Sequence, residues 1–261
     1  MRKVSFPLFV VFFFAGLAFG QNEALQAKVE DLLARAVKGD SAAISAIVSQ
    51  SGRWTGKLYR TDRDDQQLNE ALNSHNMQVR EAGLRALLAF ESVPMNQTGF
   101  EVLSESLGDP QDRPWRLVLL GMLGHTGVDP VHVAKVVGAY LTDSDAESRA
   151  RAVDGLAMLA TDETIPLLLH QLRNDPSPIV QERAACGLAE SGMYTPHQRL
   201  VAAGTMVGWI NDATLNAQQK TWLMQALRDI SGQSFGDNAQ AWKKWFAGAQ
   251  EADRKTTVTK I

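Results

Sequence analysis

The chain has 261 residues, of which 45% are hydrophobic and 21% are charged, and its formal net charge is −3. This length allows a large core or an elongated array, and the acidic balance gives no indication of a nucleic-acid partner. Because Cys186 is the single cysteine, an internal disulfide is excluded, and packing alone must stabilise the fold.

The first twenty residues have the organisation of a secretory signal peptide. Arg2 and Lys3 give a positive start, an apolar run follows, and residues 18–20 (AFG) provide a small-x-small cleavage signature. We expect cleavage before Gln21 and a mature chain that is periplasmic or secreted. The alternative, a membrane anchor, is disfavoured because the apolar run is short and ends in small residues. No membrane span is predicted in the mature chain.

The mature chain repeats one helical pattern every 32 to 39 residues. It occurs at residues 79–87, 114–122, 148–156, 180–188 and 219–227. In each copy, apolar residues share one helical face, and the next-to-last residue is small enough to let a neighbouring helix approach closely. The small residues are Ala86, Gly121, Gly155, Gly187 and Ala226.

A second helical segment precedes each copy, so the repeating unit is predicted to be helix–turn–helix. These segments are residues 64–75, 98–109, 130–143, 163–175 and 197–212, and Thr195 to Gln198 reads as a capping box. Residues 23–51 look like a degenerate first pair. After a break at glycines, Trp242, Trp245 and Phe246 form a narrow aromatic stripe, which indicates a capping helix, with a peptide-binding surface as the alternative.

The second segments resemble HEAT repeats, helical pairs whose second helix often starts with valine–arginine and has an alanine-rich middle. Val79-Arg80 matches that start, residues 148–149 keep the arginine, residues 180–181 keep the valine, and residues 114–115 and 219–220 depart from it. The resemblance implies an all-α fold, a right-handed α-α superhelix (HEAT-like solenoid) of about six helical pairs.

The expected organisation is a signal peptide at 1–20, the solenoid at 21–250 and a polar, frayed tail at 251–261. Its clearest repeats span 62–231, and its C-terminal cap spans 232–250. This ending is also similar to one that follows HEAT repeats in many exported bacterial proteins, which implies a bacterial origin.

Cys186 is interpreted as an inert thiol on a scaffold helix rather than a nucleophile. Its position in the repeat is occupied by variable, mostly polar residues in the other copies, so we expect a partly accessible side chain. Glu182 and Glu190 lie four residues to either side and should raise the thiol pKa, partly countered by Arg183.

No catalytic residue, cofactor site or metal site is predicted. The five histidines show no paired metal spacing, and the chain has no glycine-rich phosphate loop and no His-Glu dipeptide, the iron-binding pair of one enzymatic HEAT-repeat relative. The aspartates of the turns, among them Asp143, Asp145, Asp175 and Asp212, are expected to cap helices or to pair with arginines such as Arg149.

Residues 51–64 (SGRWTGKLYRTDRD) interrupt the period and interleave aromatic with basic side chains. Tryptophan, tyrosine and arginine are enriched at binding hot spots, so Arg53, Trp54, Tyr59 and Arg60 are candidate partner-binding residues. In the alternative, Trp54 and Tyr59 cover the N-terminal repeat and the cations face water.

The sequence therefore predicts a non-catalytic scaffold of the bacterial cell envelope that binds a partner protein or peptide on the curved surface formed by the second helices. One alternative is a subunit resembling the HEAT-like bilin lyases, which the export signal disfavours because their substrates are cytoplasmic. A second, a HEAT-fold DNA glycosylase, would need a basic cleft that this acidic chain does not offer.

Overall fold

The described part of the chain is entirely helical, which confirms the predicted fold class. The computed structural model describes residues 10–258, with side chains from residue 22 to residue 256, and within that range it has thirteen α-helices and no strand. The chain divides into two compact units, of which the first ends at Pro94 and the second begins at Met95.

Unit 1 consists of two helical pairs stacked layer on layer. Its helices are α1 (Val10–Val37), α2 (Ser41–Gln50), α3 (Asp62–Leu72) and α4 (Met77–Phe90). Within the pairs, α1 packs on α2 and α3 packs on α4; between the pairs, α1 contacts α3 and α2 contacts α4. The predicted degenerate pair at residues 23–51 is therefore a genuine helical pair.

Unit 2 consists of four helical pairs and a final helix. Its first helices are α5 (Gln97–Glu105), α7 (Pro130–Gly138), α9 (Thr164–Asn174) and α11 (Pro196–Trp209). Its second helices are α6 (Arg113–His125), α8 (Ala146–Leu159), α10 (Pro178–Cys186) and α12 (Ala217–Ser231), followed by α13 (Ala239–Val258). The second helices pack in chain order, α6 on α8, α8 on α10 and α10 on α12. Four of the five aligned segments lie wholly in second helices, as the repeat predicts, and the segment 180–188 runs two residues past the end of α10 into a π-helical turn.

Polar side chains at the turns start most of these helices. A side-chain oxygen accepts a hydrogen bond from a first-turn backbone N–H and so satisfies a donor that the helix leaves unpaired. The capping box predicted for Thr195 and Gln198 is present, and Asp145 accepts from the backbone N of Ser148 at 2.8 Å. The caps are Asp40, Thr61, Asn76, Asn96, Asp129, Asp145, Thr195 and Asn216.

The predicted small residues allow the closest approach between second helices in unit 2. A Cβ added to Gly121 of α6 would lie 2.5 Å from the carbonyl carbon and 2.7 Å from the Cα of Gly155 in α8. A Cβ added to Gly155 would collide with the backbone of Leu117, and one added to Gly187 would lie 2.9 Å from the Cβ of Ala157. The backbones of α6 and α8 therefore touch, which only glycine permits.

The final helix, α13, packs against α11, the first helix of the last pair, through the predicted aromatic stripe. Trp242 is fully buried, and its Nε1 donates a hydrogen bond to the carbonyl oxygen of Gly236 at 2.8 Å. The ring of Phe246 packs against Gly204 of α11. The helix extends to Val258, beyond the predicted cap end, and Asp253 accepts a hydrogen bond from His197 Nδ1 at 2.6 Å.

The predicted signal peptide falls partly outside the described residues, which begin at Val10. Helix α1 runs from Val10 through the expected cleavage position before Gln21 without a break. Among residues 10–258, no helix is both long enough and apolar enough to traverse a bilayer. Cleavage and export stay predictions.

Candidate interaction surfaces

Cys186 sits in a setting that suppresses thiol reactivity. Its side chain is half-buried, as expected, and burial is the largest effect raising its pKa. The carboxylates of Glu182, Asp229 and Glu190 raise the pKa further, and Arg183 opposes them. The sequence predicts the direction from Glu182 and Glu190 but misses burial and Asp229, because Asp229 comes from the neighbouring helix α12.

The described side chains offer no arrangement for metal chemistry. No group of three or more histidine, cysteine, aspartate or glutamate side chains in that part of the chain is placed to hold a metal ion.

The turn aspartates have the capping and pairing roles predicted for them. Asp145 caps α8, and Asp175 binds Arg149.

Arg149 and Asp175 form a buried ion pair that joins two repeats of unit 2. The Nε of Arg149 donates to Asp175 Oδ2 at 2.8 Å, and its Nη2 donates to Asp175 Oδ1 at 3.0 Å. Its Nη1 donates to the carbonyl oxygen of Asp143 at 2.9 Å, and Gln181 Nε2 donates to the carbonyl oxygen of Asp175 at 2.6 Å. Because the guanidinium of Arg149 and the carboxylate of Asp175 are both hydrogen-bonded, their charges are tolerated in the interior. The pair thereby fixes the spacing of α8 and α10.

The guanidinium of Arg199 donates hydrogen bonds to backbone carbonyls that follow α10. The sequence pattern does not predict this role. Residues Gly187–Ser191 form a turn of π-helix after Cys186. Arg199 of α11 donates to the carbonyl oxygens of Tyr194 at 3.0 Å and of Gly192 at 3.2 Å, and it also binds the carbonyl oxygen of Ala189. This arginine satisfies carbonyls that the helix end leaves unpaired.

The residues between α2 and α3 divide into buried and exposed members. Trp54 is 3% exposed, so its indole belongs to the core of unit 1 and is not on the surface for a partner. Tyr59 is 53% exposed, and Arg53 is exposed as well. Arg60 lies on the surface but is bound to the carboxylates of Asp65 and Glu91. Of the four candidate residues, Arg53 and Tyr59 are exposed without such pairing.

A polar cluster behind this segment holds it in place. Gln26 is buried, and its Oε1 accepts a hydrogen bond from the backbone N of Tyr59 at 3.3 Å. Its Nε2 donates to Asp64 Oδ2 at 3.0 Å, and Asp64 also accepts from the backbone N of Thr61 at 2.9 Å. Helix α1, the loop and the start of α3 are therefore tied together through one buried carboxylate.

On the side that faces away from the first helices, the second helices of unit 2 carry side chains that are exposed or half-buried. We define the second-helix face by exposed and half-buried residues of α8, α10 and α12. They are Glu147, Arg151, Asp154, Ile179, Glu182, Arg183, Cys186, Gln225 and Asp229. The sequence singles out only Cys186 and its flanking charges here; the others follow from the same repeat alignment, because they lie opposite its packed positions.

Charged side chains on the second-helix face pair with one another at α8, and one carboxylate at α12 has a raised pKa. Arg151 donates to Glu147 Oε1 at 2.7 Å and to Asp154 Oδ2 at 3.2 Å, and Arg183 Nη1 lies 3.6 Å from the same Asp154 oxygen. Toward α12, burial raises the pKa of Asp229, and the charge of Glu190 adds to that rise.

Comparison with known proteins identifies the repeat. Residues 133–203, which run from α7 into α11, match the family model described as HEAT repeats. This segment of unit 2 is similar to HEAT repeats. The matched segment contains the Arg149–Asp175 pair and the close-packed Gly155 and Gly187.

Two engineered proteins with crystal structures are similar to this chain. Each is 20% identical to it, with a TM-score of 0.37. One alignment covers 81% of this chain and 92% of the engineered protein, and the other covers 87% and 58%. No curated protein matches the chain.

Proposed function

We propose that the chain is a non-catalytic scaffold of the bacterial cell envelope that binds a partner protein or peptide on its second-helix face. The observation that carries the proposal is the uncovered face of three consecutive second helices, α8, α10 and α12, on a rigid repeat framework. Helical repeats offer extended surfaces of this kind to partners.

The side chains of this face suit recognition. Ile179 is 57% exposed at the start of α10 and is a candidate apolar anchor. Arg183 follows one turn later, so both side chains project from the same side of α10. Charged residues surround them, and such a rim controls orientation and partner choice more than affinity.

The envelope location rests on residues 1–20, whose positive start, apolar run and small residues are typical of an export signal. The test is to express the full chain in a bacterial host, recover the periplasmic fraction and determine its N-terminal sequence. A new N-terminus at Gln21 supports the proposal, whereas an intact Met1 in the cytoplasmic fraction contradicts it.

The binding face is tested with two matched double variants. Ile179→Asp with Arg183→Glu changes an apolar and a basic residue four positions apart on α10. Val131→Asp with Lys135→Glu makes the same changes on α7, a first helix, where Val131 is 76% exposed. Both variants should fold, because the changed side chains are exposed.

Each variant is then immobilised and exposed to an envelope extract of the source cells. We expect the α10 variant to lose the partners that the unchanged chain and the α7 variant both retain. Equal retention by all three proteins contradicts the second-helix face as the binding site.

A further inference from the structure

We propose that the exposed tip of the loop in unit 1, formed by Arg53, Lys57 and Tyr59, binds an acidic peptide segment. We call these three residues the cationic tip. The proposal concerns unit 1 and goes beyond the proposed function, because it stands or falls independently of the second-helix face of unit 2.

Contacts within the loop and with helix α1 hold the cationic tip in a fixed conformation. Trp54, within the same loop, is buried, and its carbonyl oxygen accepts a hydrogen bond from the backbone N of Lys57 at 2.9 Å. Gly56 has a φ of +73°, a left-handed conformation that glycine adopts without strain. Behind the tip, Gln26 holds the backbone of Tyr59. A loop ordered before binding loses little entropy when a partner arrives.

Ion pairing separates the cations of this segment into two groups. Arg60 binds Asp65 and Glu91, and Arg63 lies 3.4 Å from Glu30, so the charges of both are compensated inside unit 1. Arg53 and Lys57 are exposed and make no ion pair within the described residues. The cationic tip therefore carries uncompensated positive charge on a chain whose net charge is negative.

A shallow groove beside the tip gives a peptide more than charge to recognise. Lys57, Leu58 and Tyr59 line it together with Asn22 and Glu23 of α1. The ring of Tyr59, 53% exposed, offers an apolar surface and a hydroxyl, and Leu58 is half-buried. This combination suits a peptide with carboxylates at intervals between uncharged residues. Two free cations are too few for the many phosphate contacts on which nucleic-acid binding depends.

Glu23 allows the charge of the bound peptide to be tested. Its carboxylate lies in the same groove as Lys57 and repels an acidic occupant, so removing its charge should strengthen binding. Reversing the charge of Lys57 should weaken binding. A basic occupant would produce the opposite result for both changes.

The test uses residues 21–261 and a fluorescein-labelled peptide of about ten alternating glutamate and alanine residues, with fluorescence anisotropy at low salt. We expect Lys57→Glu and Arg53→Glu each to weaken binding about two- to fivefold, and Glu23→Gln to strengthen it about twofold. Lys38→Glu, which removes an exposed cation from the turn between α1 and α2, is the matched control and should have no effect.

Several results would overturn the proposal. They are equal weakening by Lys38→Glu and Lys57→Glu, weaker binding by Glu23→Gln, tighter binding of the corresponding lysine–alanine peptide, or preference for phosphatidylglycerol vesicles over the acidic peptide. The α10 variant Ile179→Asp with Arg183→Glu should bind the acidic peptide normally, which separates failure of this proposal from failure of the scaffold function.

Discussion

Substituting Gly121 by alanine tests the contact on which unit 2 is built. The new Cβ would lie 2.5 Å from the carbonyl carbon of Gly155, whereas carbon atoms pack at about 3.5–4.0 Å. Backbone atoms cannot rotate away, so α6 and α8 must separate by about 1 Å. Overpacking costs about 1–3 kcal/mol and more where backbone moves. Because backbone must move here, the upper end of that range applies, and the higher helix propensity of alanine offsets about 1 kcal/mol of it, which leaves a net loss of about 2 kcal/mol.

The loss is measured by urea unfolding followed by circular dichroism. Gly248→Ala in α13 is the matched control, because no atom lies within 4 Å of its added Cβ. That variant should gain up to about 1 kcal/mol from helix propensity alone. If Gly121→Ala also left the free energy of unfolding unchanged or raised it, the reasoning about backbone contact between α6 and α8 would be refuted.

Three further predictions concern the ion pair, the loop and the thiol. Asp175→Asn removes the carboxylate from a buried guanidinium, that of Arg149, and should lower the free energy of unfolding by about 3 kcal/mol in urea; a loss under about 1 kcal/mol would contradict the buried pair. Trp54→Ala should cost about 3–5 kcal/mol, and Tyr59→Ala less than about 0.5 kcal/mol, by the same assay; equal losses would contradict their different burial. Burial and nearby carboxylates raise the pKa of Cys186, so its maleimide reaction should show a titration midpoint above about 8.5, the value of a free cysteine; a midpoint below that value would contradict the described surroundings.

The sequence predicts the repeat because packing constrains the same positions in every copy. A second helix must present an apolar face to the first helix of its pair and a small residue to the next second helix. Gly121, Gly155 and Gly187 are the small residues. Turn chemistry is equally local, so the capping box at Thr195 follows directly from the chain. These features depend on residues within one or two helical turns.

Contacts between distant residues explain what the sequence leaves open. The pattern of residues 51–64 cannot separate Trp54, which enters the core, from Tyr59, which stays outside, because the segment is held in place by Gln26 of the distant helix α1. Arg199 is another example, since its role depends on the carbonyls at the end of α10. The cations of the loop look alike in sequence, and only their partners distinguish Arg60 from Lys57.

The central claim is that helical pairs stack through their second helices at small-residue contacts. A crystal structure of residues 21–261 tests it most directly, through the separation of the backbones at Gly121 and Gly155. The account predicts that these two backbones touch, with no side chain between α6 and α8. A β-strand at either position, or large side chains interposed between the two glycines, would contradict it.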